Sequence, residues 1–325
     1  MDHYFGESIS GIGREISGGF GKTMVIDRLS TNLDSIQHLS KFMTYVKIGW
    51  GLSFLLNERV LGDRISRIKD MGTGVCNGGT FLETCYVKGK FENGLTLLKN
   101  SGFTHIEISE GVCNIPKRER KMAAEFAREN GLFLIMEVGK KRKSEQLDLN
   151  ETLDKVQEVE EFEPDLIIIE GRETGKDVEI YDGSGNIKWE WADTIGKMIS
   201  FDRLMFEAPL EKQQVELILR YGNKVNLGNV SMESVGALAT QRFGLRGDTF
   251  SMERQSDKFE GSPATKFVLH IIRNSVKIDQ ASLMRITGMS RRTVQNALME
   301  LLRGNLIQEG NDMRDLRRKV YSIIG

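Results

Sequence analysis

The sequence predicts an α/β protein: a (β/α)8 TIM-type barrel followed by a small winged helix-turn-helix-like domain. Eight short apolar runs alternate with stretches of helical spacing, and together they span roughly the 200–250 residues usual for such a barrel. Each run ends in a cluster of polar or small residues, as strands do when their carboxyl ends form a site. A doubly wound open sheet is the alternative, but it usually has fewer strands.

The elements alternate regularly along the chain. The predicted strands are Thr23–Asp27, Tyr45–Gly49, Gly74–Gly79, Thr104–Ser109, Leu132–Val138, Asp165–Glu170, Arg203–Glu207 and Lys224–Leu227. The helical patterns between them include Ser35–Met43, Glu58–Met71, Phe91–Ser101, Pro116–Asn130 and Glu211–Tyr221. An insertion after the sixth strand, Val178–Trp189, alternates around a Gly-rich centre and predicts a β-hairpin that could cover the active face.

Four segments follow from this pattern. Residues 1–22 are a Gly- and Ser-rich lead-in, residues 23–253 the barrel, residues 254–263 a polar linker, and residues 264–325 the second domain. In that domain Gln280–Thr287 and Ser290–Leu302 are predicted helices joined by a very short turn. This arrangement is typical of a helix-turn-helix.

Charge is distributed unevenly. The whole chain has a formal net charge of −1, but residues 263–325 hold 11 Lys and Arg against 5 Asp and Glu, net +6, which leaves −7 for the remainder. No apolar run reaches the roughly 20 residues of a membrane span, so we expect a cytoplasmic protein with no membrane partner. The three cysteines lack the close pair spacings of metal or redox sites, so we expect free thiols. Separately, we expect the protein to form a homo-oligomer.

The fifth and sixth strands carry the clearest chemical signal. Side chains alternate along a strand, so Glu137 and Lys141 should share one face, and Lys141 rather than Lys140 should point where Glu137 points. By the same count Glu170 and Arg172 share a face at the end of the next strand. Two strands therefore direct acidic and basic groups to one place.

In a (β/α)8 barrel the carboxyl ends of all eight strands meet at one mouth. The polar residues collected there are Asp27, Lys47, Glu107, Glu137 with Lys141, Glu170 with Arg172, Glu207 and Asn226. Single charges are costly to bury, so this set predicts ion pairing, a divalent metal, or both. Oxygen ligands favour Mg²⁺ over zinc. A structural layer of salt bridges inside the barrel is the competing interpretation.

Two loops are candidate anion sites. Gly78 and Gly79 offer exposed backbone N–H groups, and Arg246, Gly247 and Asp248 follow the eighth strand. The loops after the last two strands are the usual phosphate site in this architecture. This location also selects Gln213 and Gln214, at the start of a helix.

The basic second domain predicts a DNA-binding surface. Arg291, Arg292 and Gln295 lie on the exposed beginning of its recognition helix, while Arg317 and Arg318 lie on or near the wing. The alternative is a solvated basic face used only for dimerisation.

The strand-end segments resemble the phosphosulfolactate synthase family. The matching segments include Val46–Gly51, Gly78–Thr80, Glu137–Lys141, Ile169–Glu173, Phe206–Pro209 and Leu245–Phe250. The resemblance implies a (β/α)8 barrel and Mg²⁺-dependent addition of sulfite to C3 of phosphoenolpyruvate, giving (2R)-phospho-3-sulfolactate. It also implies that Lys141 is the general acid that protonates carbon.

The other roles also follow from the resemblance. Glu137, Glu170 and Glu207 would form the metal shell, while Lys47, Arg172 and Arg246 would hold sulfite, carboxylate and phosphate. Two alternatives remain. The chain could be a DNA-binding transcriptional regulator whose barrel senses a phosphorylated small acid, or a stress-related scaffold without either activity.

Overall fold

Eight parallel strands close into a barrel, paired in chain order from β1 to β8, and β8 pairs back with β1. The strands are β1 (Thr23–Asp27), β2 (Tyr45–Ile48), β3 (Gly74–Cys76), β4 (His105–Ile108), β5 (Phe133–Val138), β6 (Leu166–Ile169), β7 (Leu204–Glu207) and β8 (Asn226–Ser231). The predicted (β/α)8 barrel is therefore confirmed.

The structure, a computed structural model, describes residues 19–141, 145–250, 261–273, 275, 277–304, 306–312 and 315–323, with only the backbone of 311–312 and 315–317. The described residues form two units, one drawn from residues 1–218 and 222–245 and the other from residues 219–221 and 246–325. Among the described helices, none has the length and apolar character needed to cross a membrane. The residues 254–260 of the predicted linker and most of the predicted lead-in lie outside the described ranges.

Helices connect the strands of the barrel. They are α1 (Leu33–Ile36), α2 (Glu58–Asp70), α3 (Thr80–Val87), α4 (Phe91–Asn100), α5 (Lys117–Glu129), α6 (Leu149–Glu160), α7 (Trp189–Met198), α8 (Glu211–Tyr221) and α9 (Val235–Arg242). Side-chain caps fix several helix starts, as where Asp148 and Glu151 form a reciprocal capping box at α6. The predicted helix Ser35–Met43 is instead a single α-helical turn followed by a 3-10 helix, Gln37–Phe42.

The barrel interior is filled by apolar side chains below its mouth. A buried cluster inside the barrel consists of Met24, Cys76, Ile135, Leu166, Ile168 and Met205. Because inward-facing residues recur every second position, the next inward residue after Ile135, Ile168 and Met205 is in each case a glutamate. An apolar layer therefore lies directly beneath a charged one.

The insertion between β6 and α7 contains a short antiparallel turn at its Gly-rich centre. Tyr181 bridges Ile187, and backbone hydrogen bonds join Lys188 to Ile180 and Asp182 to Asn186. The predicted hairpin is therefore present only as this single turn and not as two extended strands, because Val178, Ile180, Tyr181 and Ile187 are all buried. Gln213, on α8, donates to the backbone carbonyls of Gly175 and Gly185 and connects the turn of the insertion with the loop that precedes it.

The described residues of the second unit include three helices and a small antiparallel sheet. Its elements are α10 (Pro263–Arg273), β9 (Ile278–Asp279), α11 (Gln280–Thr287), α12 (Arg291–Arg303), β10 (Ile307–Asp312) and β11 (Asp315–Ile323). The sheet order is β10-β11-β9. Helix α11 ends at Gly288 in the left-handed conformation, and Ser290 caps α12, so that only three residues separate the two helices.

Candidate active site

Six charged side chains meet at the mouth of the barrel, and we call them the mouth cluster. The cluster consists of Lys47 on β2, Glu107 on β4, Glu137 on β5, Lys141 beyond β5, Glu170 directly after β6, and Glu207 on β7. All four carboxylates are at most 4% exposed. The inward-facing positions above the apolar layer thus bring together residues separated by up to 160 positions in the chain.

Lys47 lies at the centre of the cluster. Its Nζ is 3.0 Å from Glu107 Oε2, 3.4 Å from Glu137 Oε2 and 3.0 Å from Glu207 Oε1. The residue is 5% exposed. Burial alone would lower the pKa of Lys47, but the three carboxylates raise it well above its ordinary value. Lys47 is therefore a permanent cation that neutralises part of the carboxylate charge.

Lys141 is the second cation, and it approaches from the solvent side. Its Nζ lies 3.3 Å from Glu137 Oε1 and 3.7 Å from Glu170 Oε2, and 29% of its side chain is exposed. Lys140 points elsewhere, since its Nζ donates to the Glu110 carbonyl and to Asn114 Oδ1. The orientation predicted from strand alternation, with Lys141 and not Lys140 facing Glu137, is confirmed.

Three of the carboxylates could hold a metal ion together. Glu137, Glu170 and Glu207, which we call the carboxylate triad, each present an oxygen within 4.8 Å of the other two. Glu137 Oε1 and Glu170 Oε2 are buried and accept no hydrogen bond from the described residues, although both face Lys141. Oxygen ligands of this kind suit Mg²⁺.

The pKa values of the cluster reflect its excess of negative charge. Burial, with Glu137 and Glu207 nearby, raises the pKa of Glu170 well above its ordinary value. Burial would also raise the pKa of Glu137, but Lys141 and Lys47 lower it to about 2. Four carboxylates face two ammonium groups, which leaves the site short of positive charge.

Backbone and amide groups orient two of the carboxylates. Glu107 Oε1 accepts from the N–H of Gly79 at 2.7 Å. Glu207 Oε2 accepts from the N–H of Gly171 and from Asn229 Nδ2, each at 3.0 Å. The N–H of Gly79, proposed from sequence as an anion donor, is thus already used within the site.

Gly78 and Gly79 are needed for close approach. Gly78 has φ +65°, and a Cβ there would lie 2.9 Å from Gly49 Cα, while a Cβ on Gly79 would lie 2.1 Å from Ser109 Oγ. These glycines let the β3–α3 loop pack against the ends of the neighbouring strands. Their role in binding substrate stays a prediction.

Arg172 follows Glu170 at the end of β6. Its backbone N–H donates to Glu170 Oε1 at 2.7 Å, and its φ of 56° lies in the left-handed region. Its guanidinium is partly exposed and has no ion-pair partner within the described ranges. A role of Arg172 in binding an anionic substrate stays a prediction.

Asn226 lies at the wrong end of the barrel for its predicted role. The predicted strand ended at Leu227, which put Asn226 near its carboxyl end. In the structure Asn226 is instead the first residue of β8. Its Oδ1 accepts from the N–H of Lys22, and its Nδ2 donates to the carbonyls of Phe201 and Leu204. The prediction was wrong because β8 continues to Ser231, which places Asn229 rather than Asn226 in the mouth.

Gln213 and Gln214 are both completely buried. Gln213 holds the insertion as described above, and Gln214 Nε2 donates to the Ala208 carbonyl at 2.9 Å. Gln213 therefore stabilises the segment after β6, and Gln214 the segment after β7. Their predicted contact with substrate stays a prediction.

Asp27, at the end of β1, is directed away from the cluster. Its carboxylate accepts two hydrogen bonds from Arg64 on α2, at 2.5 and 2.8 Å. It also accepts from the N–H of Leu29. This bidentate pair connects a strand to the outer helix layer.

The remaining predicted residues belong to the second unit. Arg246 lies 3.5 Å from the Asp248 carboxylate, and Gly247 between them is exposed. Arg291, Arg292 and Gln295 are exposed in the first turns of α12.

The two wing arginines lie on β11. Arg318 pairs with Asp279, the N-cap of α11. Arg317 lies on the same strand, but its side chain is outside the described parts. A role of either residue in binding DNA stays a prediction.

Sequence reasoning missed three residues near the cluster. Asn229 supports Glu207 from β8. Glu83 on α3 is buried, accepts from the N–H groups of Val112 and Cys113, and has a pKa that burial raises. Glu179 comes from the insertion and contacts the backbone of Lys140. None lies at a predicted strand end, the signal that found the others.

Comparison with known proteins covers the barrel. A family model described as (2R)-phospho-3-sulfolactate synthase matches residues 17–248. The phosphosulfolactate synthase of Methanocaldococcus jannaschii is 38% identical over 235 residues, covering 71% of this chain and 94% of the relative. The Methanothermobacter thermautotrophicus enzyme of that name is 33% identical, covering 70% and 91%. That of Bacillus subtilis is 32% identical over 237 residues, covering 71% and 92%.

Proposed function

Because the chain belongs to the (2R)-phospho-3-sulfolactate synthase family, we propose that it is a phosphosulfolactate synthase that adds sulfite to phosphoenolpyruvate with the help of Mg²⁺. The observation that carries the proposal is the position of Lys141. Its ammonium faces two members of the carboxylate triad and is still partly open to solvent. A proton donor and a metal-binding set therefore share one mouth.

The carboxylate triad would hold the Mg²⁺. Two buried carboxylate oxygens that accept no hydrogen bond from the described residues, and four carboxyl groups against two ammonium groups, both fit a divalent cation. Held there, the ion would supply positive charge that stabilises the negative charge developing in the reaction. Lys47 would remain paired with Glu137 and Glu207, and its positive charge would add to that of the ion in neutralising the carboxylates.

The reaction forms one C–S bond and one C–H bond. The sulfur lone pair attacks C3 of phosphoenolpyruvate, the C2–C3 π electrons move to C2 and its carboxylate, and a proton then adds to C2. We assign that proton to Lys141, and the 3.3 Å distance from its Nζ to Glu137 Oε1 supports the assignment. Burial lowers the pKa of Lys141, but Glu137 and Glu170 raise it above its ordinary value. Neutralising these two carboxylates would therefore make the ammonium a stronger acid.

Arg172 would bind an anionic group of the substrates. Its backbone N–H donates to Glu170 Oε1, which places the residue beside the triad, and within the described ranges it has no ion-pair partner. A guanidinium can contact phosphate, carboxylate or sulfite through two parallel N–H groups.

The direct test is product formation. Purified protein is incubated with phosphoenolpyruvate, sulfite and Mg²⁺, and the product is identified by mass spectrometry as phosphosulfolactate. Omission of sulfite is the control. Folded protein that consumes no phosphoenolpyruvate under these conditions would contradict the proposal.

DNA binding by the second unit is a separate candidate function. It is supported by the element order of residues 263–323, a helix, a short strand, two helices joined by three residues, and a two-stranded hairpin, which is typical of winged helices. Arg291, Arg292 and Gln295 are exposed where a recognition helix contacts bases and phosphates. The net charge of +6 over residues 263–325 favours a polyanionic partner.

Salt-dependent binding tests this second candidate. Replacing Arg291 and Arg292 with alanine should weaken binding to duplex DNA and reduce the slope of log K against log salt by about one for each arginine that binds a phosphate. Replacing Lys266 and Arg273 with alanine removes the same charge from exposed sites on α10 and is the matched control. A full-length protein that binds no DNA at low salt would rule this function out.

A further inference from the structure

We propose that Glu179 is a positioning residue, which holds the Lys140–Lys141 peptide so that Lys141 faces the carboxylate triad. The proposal rests on the synthase function proposed above and adds a residue to it. Glu179 lies in the insertion after β6, at no predicted strand end, and it contacts the chain 39 residues earlier. It does not touch the triad through its own carboxylate oxygens.

Both oxygens of Glu179 are used. Oε1 accepts from the backbone N–H of Lys140 at 3.1 Å, and Oε2 accepts from the hydroxyl of Thr152 on α6 at 3.0 Å. The residue is 1% exposed. A buried carboxylate thus ties the end of β5 to the helix that follows it.

Gln146 holds the same peptide from its other side. Its Nε2 donates to the carbonyl of Lys140, and its Oε1 accepts from the N–H of Glu179 at 3.1 Å. The N–H and the carbonyl of Lys140 are therefore both engaged by this pair of side chains. Rotation of the backbone at Lys140 would break both hydrogen bonds.

The fixed backbone decides which lysine enters the mouth. The N–H of Lys141 donates to the Gly111 carbonyl at 2.9 Å, and the Lys141 Nζ turns towards Glu137. The Lys140 Nζ turns outwards to Asn114. Because the two lysines are adjacent in sequence, a changed backbone rotation would move Lys141 away from Glu137.

Glu179 is held in a costly conformation. Its φ of 34° is positive, a backbone conformation that is strained for a residue with a side chain. A Cβ on Gly139 would lie 2.8 Å from Glu179 Cγ and 2.5 Å from Glu170 Cβ. Glu179 therefore packs directly against the strand end that connects Glu137 with Lys141, and strain retained at such a place is consistent with a role in the site.

Kinetics of three variants test the proposal. Glu179→Leu removes both acceptors, and we expect kcat to fall by about 10²-fold with KM for both substrates changed less than about twofold, as for a misplaced proton donor. Glu179→Gln keeps an acceptor for the Lys140 N–H and should retain kcat within about threefold. Thr152→Val removes only the hydroxyl and is the matched control, expected to resemble Glu179→Gln.

A second readout does not require activity. Hydrogen exchange at the Lys140 amide, measured by mass spectrometry, should be faster in Glu179→Leu than in the parent, and exchange in Glu179→Gln should return towards the parent rate. A parent enzyme that forms no product would contradict the synthase function, and faster exchange would still support the clamp on Lys140. Unchanged exchange, or faster exchange with unchanged kcat in an active enzyme, would overturn the positioning role.

Discussion

Lys141 turns back towards Glu137, four residues earlier in the chain, so that its Nζ lies 3.3 Å from Glu137 Oε1. A lysine beyond the end of β5 and a glutamate within it therefore share one side of the strand. Lys140, which precedes Lys141 in the chain, does not join this pair, and its Nζ donates to the Glu110 carbonyl. Two adjacent lysines thus have different surroundings, which provides a matched test of function.

Lys141→Ala should abolish most of the synthase activity, because it removes the proton donor next to the triad. Loss of a general acid typically costs about 10²–10⁴-fold, and we expect the loss in kcat. Steady-state rates with phosphoenolpyruvate and sulfite measure it. Lys140→Ala is the control, and equal losses in the two variants would show that Lys141 has no special role.

Metal binding should depend on Glu170. Glu170→Gln removes one negative oxygen of the carboxylate triad, and its affinity for Mg²⁺ should fall by more than the roughly 10–100-fold typical of an outer partner. Titration calorimetry measures the affinity directly. In parallel, Mg²⁺ should raise the Tm of the parent and not that of the variant.

Glu83→Gln provides the comparison for this experiment. Glu83 is also buried, but its Oε1 accepts from the N–H groups of Val112 and Cys113 and it lies outside the triad. Its substitution should leave Mg²⁺ affinity within about threefold. If Glu83→Gln lowered the affinity for Mg²⁺ as much as Glu170→Gln, the assignment of the metal ligands would be wrong.

Asn226 and Asn229 should differ in what they support. Asn229→Ala removes the donor to Glu207 Oε2 and should weaken Mg²⁺ binding by roughly 10–100-fold. Asn226→Ala removes three hydrogen bonds at the opposite end of the barrel and should lower the free energy of unfolding by about 1–3 kcal/mol. Calorimetry and urea unfolding on both variants separate the two effects.

Strands β5 and β8 show where the sequence was enough to predict the site residues and where it was not. Alternation along β5 correctly selected Lys141, since a strand fixes which side each residue faces. The eighth strand contains two asparagines and a glycine, so no apolar run marked its end, and Asn226 was chosen instead of Asn229. The alternation along a strand predicts which side each residue faces, but it does not predict where a polar strand ends.

Long-range contacts lay beyond the sequence patterns. Glu179 meets Lys140 only because the insertion folds into the core, which its apparent hairpin pattern did not predict. Arg64 meets Asp27 across 37 positions, and this contact removes a predicted mouth residue from the cluster. Both depend on packing between elements, for which a single sequence carries no periodic signal.

Lys47 should contribute strongly to stability. Lys47→Met would leave Glu107, Glu137 and Glu207 without their shared cation, and breaking a buried pair in this way typically costs about 3–5 kcal/mol. Urea unfolding without added metal measures the loss. Lys141→Met should cost less, because that side chain is 29% exposed. A Lys47→Met protein as stable as its parent would show that the triad does not need this cation.

His105 should make the barrel less stable in acid. Burial lowers the pKa of His105 from 6.5 to about 4, so the unfolded chain binds its proton first as the pH falls. Stability from this group is complete above about pH 6.5 and is progressively lost towards pH 4, by about 2 kcal/mol at pH 5. His105→Gln should therefore lose less stability than the parent between pH 7 and pH 5.

The measurement is the free energy of unfolding in urea at pH 5, 7 and 8. Between pH 7 and 8 the two proteins should differ by a constant amount, which reports the packing of the imidazole against Tyr45 and Phe133 and its hydrogen bond with Thr104 Oγ1. The additional difference at pH 5 isolates the titration, because the carboxylates are common to both proteins. Parallel pH profiles down to pH 5 would show that His105 is protonated as readily in the folded protein as in the unfolded chain.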